Sequence, residues 1–216
     1  MTNTTESHPL QPFLPEGARL LMLGSFPPKR ERWSKDFFYP NWINDMWRIW
    51  GYIFFADKHY FEVKGEKRFD RERIISFCLE HGIALYDTAC EVRRLRDNAS
   101  DKFLEVVRPT DIKALLNALP HCQAIVTTGE KATDTLVEQF ACQTPKVGEY
   151  VEVEYNSRKL HFWRMPSSSR AYPLSLERKA ERYARMLREE RIKCGDDHAA
   201  ATSTKKCFGK VIVETI

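Results

Sequence analysis

Residues 19–28 read RLLMLGSFPP. An apolar run closed by glycine, with no alternation, belongs to a strand covered on both faces. Gly24 permits a sharp turn and close backbone approach. Pro27 and Pro28 stiffen the exit. Apolar runs recur at 83–86 (IALY, ending at Asp87) and at 124–128 (AIVTT, closed by Gly129), and 159–165 reads as a fourth core strand. Helical patterns alternate with these runs, at 45–55, 71–81, 110–119 with Thr110 as cap, 130–140 and 175–193. Residues 150–155 alternate like an exposed strand, and Asn156-Ser157 turns them into the fourth core strand. The expectation is an α/β fold with a mostly parallel sheet covered on both faces. Ligands of such sheets sit outside the carboxyl ends of the strands.

The chain has 216 residues, 43% of them hydrophobic, which suits one α/β domain. Residues 1–17 read as a flexible arm, 18–193 as the domain, and 194–216 as a linker and tail whose FGKVIVETI end adds an edge strand or stays free. No apolar run approaches the roughly 20 residues of a membrane span, and the polar start, MTNTTESHPLQP, is no secretory signal. A soluble, monomeric, cytoplasmic or nucleoid-associated protein is expected, with no membrane partner. Cys78, Cys90, Cys122, Cys142, Cys194 and Cys207 form no C-x-x-C pair, which argues against a metal site and for reduced thiols.

Charge is unevenly placed. Residues 158–193 hold 11 basic and 4 acidic residues, a local net of +7; the whole chain is +4, so the remainder sums to −3. A basic region on a nearly neutral body suits a nucleic-acid partner, although a solvated charged helix looks the same.

Three constellations carry chemistry. GSFPP (24–28) follows a strand and is suited to present backbone N–H groups to an electron-rich ring atom; the plainer alternative is a rigid strand-to-loop turn. KRERWSKDFFYPNWINDMW (29–47) interleaves four basic residues with six aromatics, a mixture suited to phosphate contacts beside stacking rings; the plainer alternative is rings anchoring a long loop. MPSSSRAY (165–172) brings Ser167, Ser168 and Ser169 to the start of the basic helix, where hydroxyls and N–H groups bind phosphates; the alternative is a loop with a serine cap.

Together, in this order, these motifs resemble the uracil-DNA glycosylase superfamily, most closely its hypoxanthine-DNA glycosylase and mismatch-specific uracil-DNA glycosylase branch. That branch reads G-S-F-P, then Y-Y-G-H-P-x-N-x-F-W, then L-P-S-T-S-P-A. The chain has Tyr39-Pro40-Asn41-Trp42-Ile43-Asn44-Asp45-Met46-Trp47 for the second and 165–171 for the third. GIALYD (82–87) and Thr128-Gly129 with Ala132 resemble two further elements. The likeness covers about residues 17–190.

The resemblance implies a three-layer α/β/α sandwich around a four-stranded parallel sheet. It implies a cofactor-free monofunctional glycosylase that hydrolyses the bond between sugar and a deaminated base, uracil or hypoxanthine, flipped out of damaged or mismatched DNA. Asn44 maps to the branch's catalytic asparagine, with Asn41 as its rival and a helix cap as the alternative role. Gly24, Ser25, Phe26, Pro27, Phe38, Tyr39 and Asp87 map to the base pocket. Ser167, Ser168, Ser169, Arg170, Lys29, Arg30 and Arg178 are expected on DNA. Many members carry Asp or Asn where this chain has Phe26, and His where it has Met165. Asp45 stands where arginine is usual and requires a cation, Arg48 being the expected one. Two other readings are a non-catalytic DNA- or nucleotide-binding member of the fold and a serine hydrolase; the second lacks G-x-S-x-G.

Overall fold

The computed structural model describes residues 4–95 and 101–192. The expectations for the segment from Cys194 onward lie outside them. In chain order the elements are β1 (Thr5–Ser7), β2 (Leu20–Gly24), α1 (Met46–Phe55), α2 (Arg71–Glu80), β3 (Ile83–Asp87), β4 (Ala89–Arg94), β5 (Leu104–Pro109), α3 (Ile112–Asn117), β6 (Ala124–Thr128), α4 (Glu130–Phe140), β7 (Glu149–Tyr155), β8 (Arg158–Met165) and α5 (Leu176–Glu189). No helix among the described residues is long and apolar enough to cross a membrane.

The main sheet runs β3-β2-β6-β8-β7. Its first four strands are parallel, and β7 is antiparallel to β8. The sheet is therefore five-stranded and mixed, which corrects the expected four-stranded parallel sheet. The cause is local. Asn156 and Ser157 both take positive φ, 50° and 58°, and a two-residue turn of that kind matches the twist of paired strands. The exposed strand is folded back along β8. Its Glu149, Glu152 and Glu154 keep a charged outer edge, which discourages further pairing.

The continuous apolar runs behave as their composition requires. Every residue of β2, β3 and β6 is buried. Trp47, Trp50, Phe61, Trp163 and Tyr183 are fully buried around them, and α1 packs on α5. Burial of each such ring contributes on the order of 2–3 kcal/mol as an upper estimate. On α5, Ala180, Tyr183 and Leu187 face the core, while Arg178, Arg182 and Arg185 are exposed.

A second sheet, β1-β4-β5, was not foreseen. Its strands are short, charged and bulged near Glu91, so they lack an apolar signature. Their inner face forms a small core of Ala89, Val92 and Leu104 with Phe26. Residues 4–17 are accordingly not a free arm. Thr5–Ser7 pairs with β4, His8 N–H donates to Cys90 O at 2.8 Å, and Phe13 and Leu85 exchange two backbone bonds. Backbone pairing ties this polar segment down, and polar side chains do not announce it. Asp111, not Thr110, caps α3: its carboxylate accepts from Ala114 N–H at 2.9 Å.

Candidate active site

The turns after β2, β3, β6 and β8 open into one cleft of about 720 Å³. Residues 24–28, 38–41, Ile43 and Asn44, Asp87, Thr128 and 167–169 line it, with Arg32, Arg94 and Lys102 among them. The three constellations separated by up to some 140 positions in sequence thus meet in space.

The first turn is fixed by its neighbours. Gly24 lies opposite Asp87 in register, Thr88 N–H donates to Gly24 O at 2.9 Å, and Ala89 N–H donates to Ser25 O at 3.2 Å. A Cβ on Gly24 would run into Asp87 Oδ1; close approach, rather than φ, requires the glycine. Phe26 lines the cleft but is buried with the β4–β5 core. Arg94 holds this turn. Its guanidinium lies 5.6 Å from the Phe26 ring centroid, donates to Pro27 O at 2.7 Å and pairs with Glu6 at 3.0 Å.

Asp87 is nearly buried. Its Oδ2 accepts from His8 Nε2 at 2.8 Å. The His8 side chain is only 2% exposed and sits against Tyr86 and Phe26, with ring centroids 4.6 and 5.2 Å apart.

The aromatic loop is pinned from beneath by a buried lysine. Lys35 Nζ donates to Phe38 O at 2.7 Å and Tyr39 O at 3.1 Å, and Trp47 Nε1 also donates to Phe38 O at 3.1 Å. Burial pushes the Lys35 ammonium well below the usual lysine range. The rings of Trp47 and Phe69 lie 5.0 and 5.4 Å from it. Phe38 is itself buried, edge-on to Phe37. Tyr39 takes a left-handed φ of 47°, and its hydroxyl meets Thr128 Oγ1 at 3.1 Å. Burial raises the Tyr39 phenol above its ordinary value, so it stays a neutral hydroxyl.

Asn44 lines the cleft, and its amide is half committed. Oδ1 accepts from Met46 N–H at 2.8 Å, in a local turn just ahead of the helix. The N-cap of α1 is Asp45, whose side chain makes no capping bond, so Asn44 is not the helix cap of the alternative reading. The amide still has its Nδ2 donor and a second Oδ1 lone pair to offer a ligand. Asn41 is arranged alike, Oδ1 accepting from Ile43 N–H at 3.1 Å.

The late loop is latched to the start of α1. Asn44 bridges Ser169, and Asp45 N–H donates to Ser168 O at 2.9 Å. Asp45 pairs with Arg170 at 2.9 Å and Lys179 at 3.2 Å; Lys179 also donates to Ser169 O at 2.8 Å. This corrects the expected Asp45–Arg48 pair. Arg48 instead pairs with Glu62 at 2.6 Å and donates to Trp42 O and Asn44 O. Ser167 Oγ accepts from Ser169 N–H and Ser169 Oγ from Ala171 N–H, each at 3.2 Å, while Ser168 is buried. These hydroxyls shape the loop before any ligand arrives.

Lys29, Arg30 and Arg178 are exposed but do not line the cleft; Arg30 pairs with Asp36 and stacks on Trp33. The cations at its wall are Arg32, Arg94 and Lys102. Sequence reasoning passed over His8, Arg94 and Lys179, and counted Lys35 among the basic residues suited to phosphate contacts, whereas its ammonium is buried against the Phe38 and Tyr39 carbonyls. A histidine in a polar tail and single cations among many others carry no local signal, although Lys179 could have been suspected from its place on the apolar stripe of α5. His161, on β8, pairs with Glu190 at 2.7 Å and does not line the cleft.

No protein-family model matches the chain, and no curated protein does. A solution NMR structure from Methanosarcina acetivorans, named a "putative Uracil DNA glycosylase", is similar with a TM-score of 0.56 at 20% identity. The similarity covers 86% of this chain and 99% of that one. At that identity the likeness is one of fold, a mixed α/β architecture.

Proposed function

We propose that this chain is a monofunctional DNA glycosylase, acting on a deaminated base, uracil or hypoxanthine, turned out of DNA. The observation that carries the reading is the meeting of GSFPP, the Phe38–Tyr39 loop, Asn44 and the serine loop around one cleft. Its volume falls within the range of small-ligand sites. Cations at its wall suit a phosphate backbone, and the fold likeness is in keeping with it.

The chemistry asks for particular groups. As the sugar–base bond breaks, negative charge grows on the base, and fixed donors aimed there lower the barrier. Asn44 Nδ2 is such a donor. A neutral amide is a poor proton acceptor, so Asn44 serves the base rather than taking a proton from water. Arg32 and Lys102 take the backbone, with Arg170, while paired to Asp45, beside the late loop, and Arg94 keeps the first turn in place. The test uses oligonucleotides bearing one uracil or one hypoxanthine, incubated with protein and then hot alkali. Strand breakage at the modified base is expected, and Asn44→Ala should slow it about 100-fold or more, the usual effect of removing one such donor. Binding without breakage would leave a non-catalytic DNA-binding module, which the burial of Phe26 in place of a polar group favours.

A further inference from the structure

Hydrolysis needs a second partner, one that directs water to the sugar as positive charge develops there. The cleft lining offers two carboxylates, Asp87 and Glu130. Glu130 is exposed at the first turn of α4. Asp87 is on the floor, at the end of β3, beside Gly24 of the first turn. Its Oδ1 leans over Gly24, in the space that the missing Cβ leaves. Its Oδ2 is held by His8 Nε2 at 2.8 Å. A carboxylate only accepts, so Nε2 carries the hydrogen, and Nδ1 faces the Leu10 backbone, 2.9 Å from its oxygen and 3.1 Å from its nitrogen. His8 is buried and ring-packed, and β1 and the His8–Cys90 bond anchor its segment. The carboxylate is therefore presented with one oxygen fixed and the other toward the cleft backbone.

We infer that Asp87 is the catalytic carboxylate that directs the attacking water, and that His8, reaching it from the N-terminal segment, is its positioning residue. The inference rests on the glycosylase reading and deepens it. In the step, the C1′–N bond breaks and its electron pair leaves with the base. The water oxygen bonds to C1′, and the water proton passes to Asp87 and on to the departed base, so the carboxylate is regenerated. Asn44 steadies the base while Asp87 acts at the sugar.

Single-turnover excision is measured on the oligonucleotide that the wild type cuts, beside equilibrium binding to an uncleavable analogue. Asp87→Asn keeps an acceptor for His8 but loses the charge. It should lower the excision rate about 100-fold or more, the span of acid–base assistance, with binding changed less than about threefold. His8→Phe should lower the rate roughly tenfold, and His8→Gln, which restores an N–H donor, should recover much of it; a merely structural role would not show that rescue. If Asp87→Asn unfolds, the His8 pair decides on the same grounds. Asp87→Asn cutting within about threefold of wild type while Asn44→Ala does not cut would overturn the assignment and leave the glycosylase reading intact. A wild type that cuts no substrate overturns both.

Discussion

Lys179→Met offers the sharpest test of how the late loop is held. The lysine is 1% exposed, the Asp45 side chain 8%, and Arg170 47%. Methionine keeps most of the aliphatic stem and removes the charge. Asp45 then stays buried with one partner, Arg170, whose half-exposed guanidinium is screened by solvent and contributes at most about 1 kcal/mol. Ser169 O also loses its donor. Breaking a buried pair costs about 3–5 kcal/mol, and the surviving Arg170 bond places this case near the lower end, about 3 kcal/mol. For a domain of this size that corresponds to a fall in Tm of roughly 6–12 °C. Urea unfolding with an unchanged slope is the assay. Adding Asp45→Asn removes the orphaned charge and should return about half of the loss. A loss under about 1 kcal/mol for Lys179→Met, the value of a surface pair, would refute the idea that a buried charge pair latches residues 168–169 to α1.

Two further outcomes follow from the site. Burial lowers the Lys35 pKa in the folded chain, whereas the unfolded chain titrates near the ordinary value of about 10.4. Between those two values the unfolded state binds more protons, so stability rises with pH there. Wild type should therefore gain stability relative to Lys35→Met between pH 8 and pH 10 in paired urea titrations; a relative loss would contradict burial as the cause. Gly24→Ala drives a methyl group into the Asp87 carboxylate and should cost about 1–3 kcal/mol, as overpacking does, with excision falling alongside. An unchanged Tm would mean that Asp87 swings aside freely.

Much of the central sheet was legible because three of its strands are short apolar runs ending in Gly24, Asp87 and Gly129, and the Asn156-Ser157 turn marked the start of the one ending in Met165. Helices between them left parallel pairing as the economical solution. The turn residues Asn156-Ser157 signalled the hairpin, but not that β7 would stay in the sheet and make it mixed. The β4–β5 ribbon escaped notice because its alternation is broken by bulges and its charged residues pair across strands, as Arg93 does with Glu105 at 3.0 Å. Serines 167–169 advertised phosphate-binding hydroxyls; the fold spends two of them on their own loop.

The amino-acid order alone determined which segments are buried strands, where the chain turns, and that aromatics, asparagines and serines cluster at strand ends. Periodicity and turn chemistry are local, so they can be read locally. Only the tertiary structure decided which charges face one another: His8 with Asp87 across 79 positions, Asp45 with Lys179 across 134, and Arg94 with the Pro27 carbonyl across 67. A charge is costly to bury unpaired, but its partner is chosen by how the layers come together, and nothing in the neighbouring residues specifies that choice.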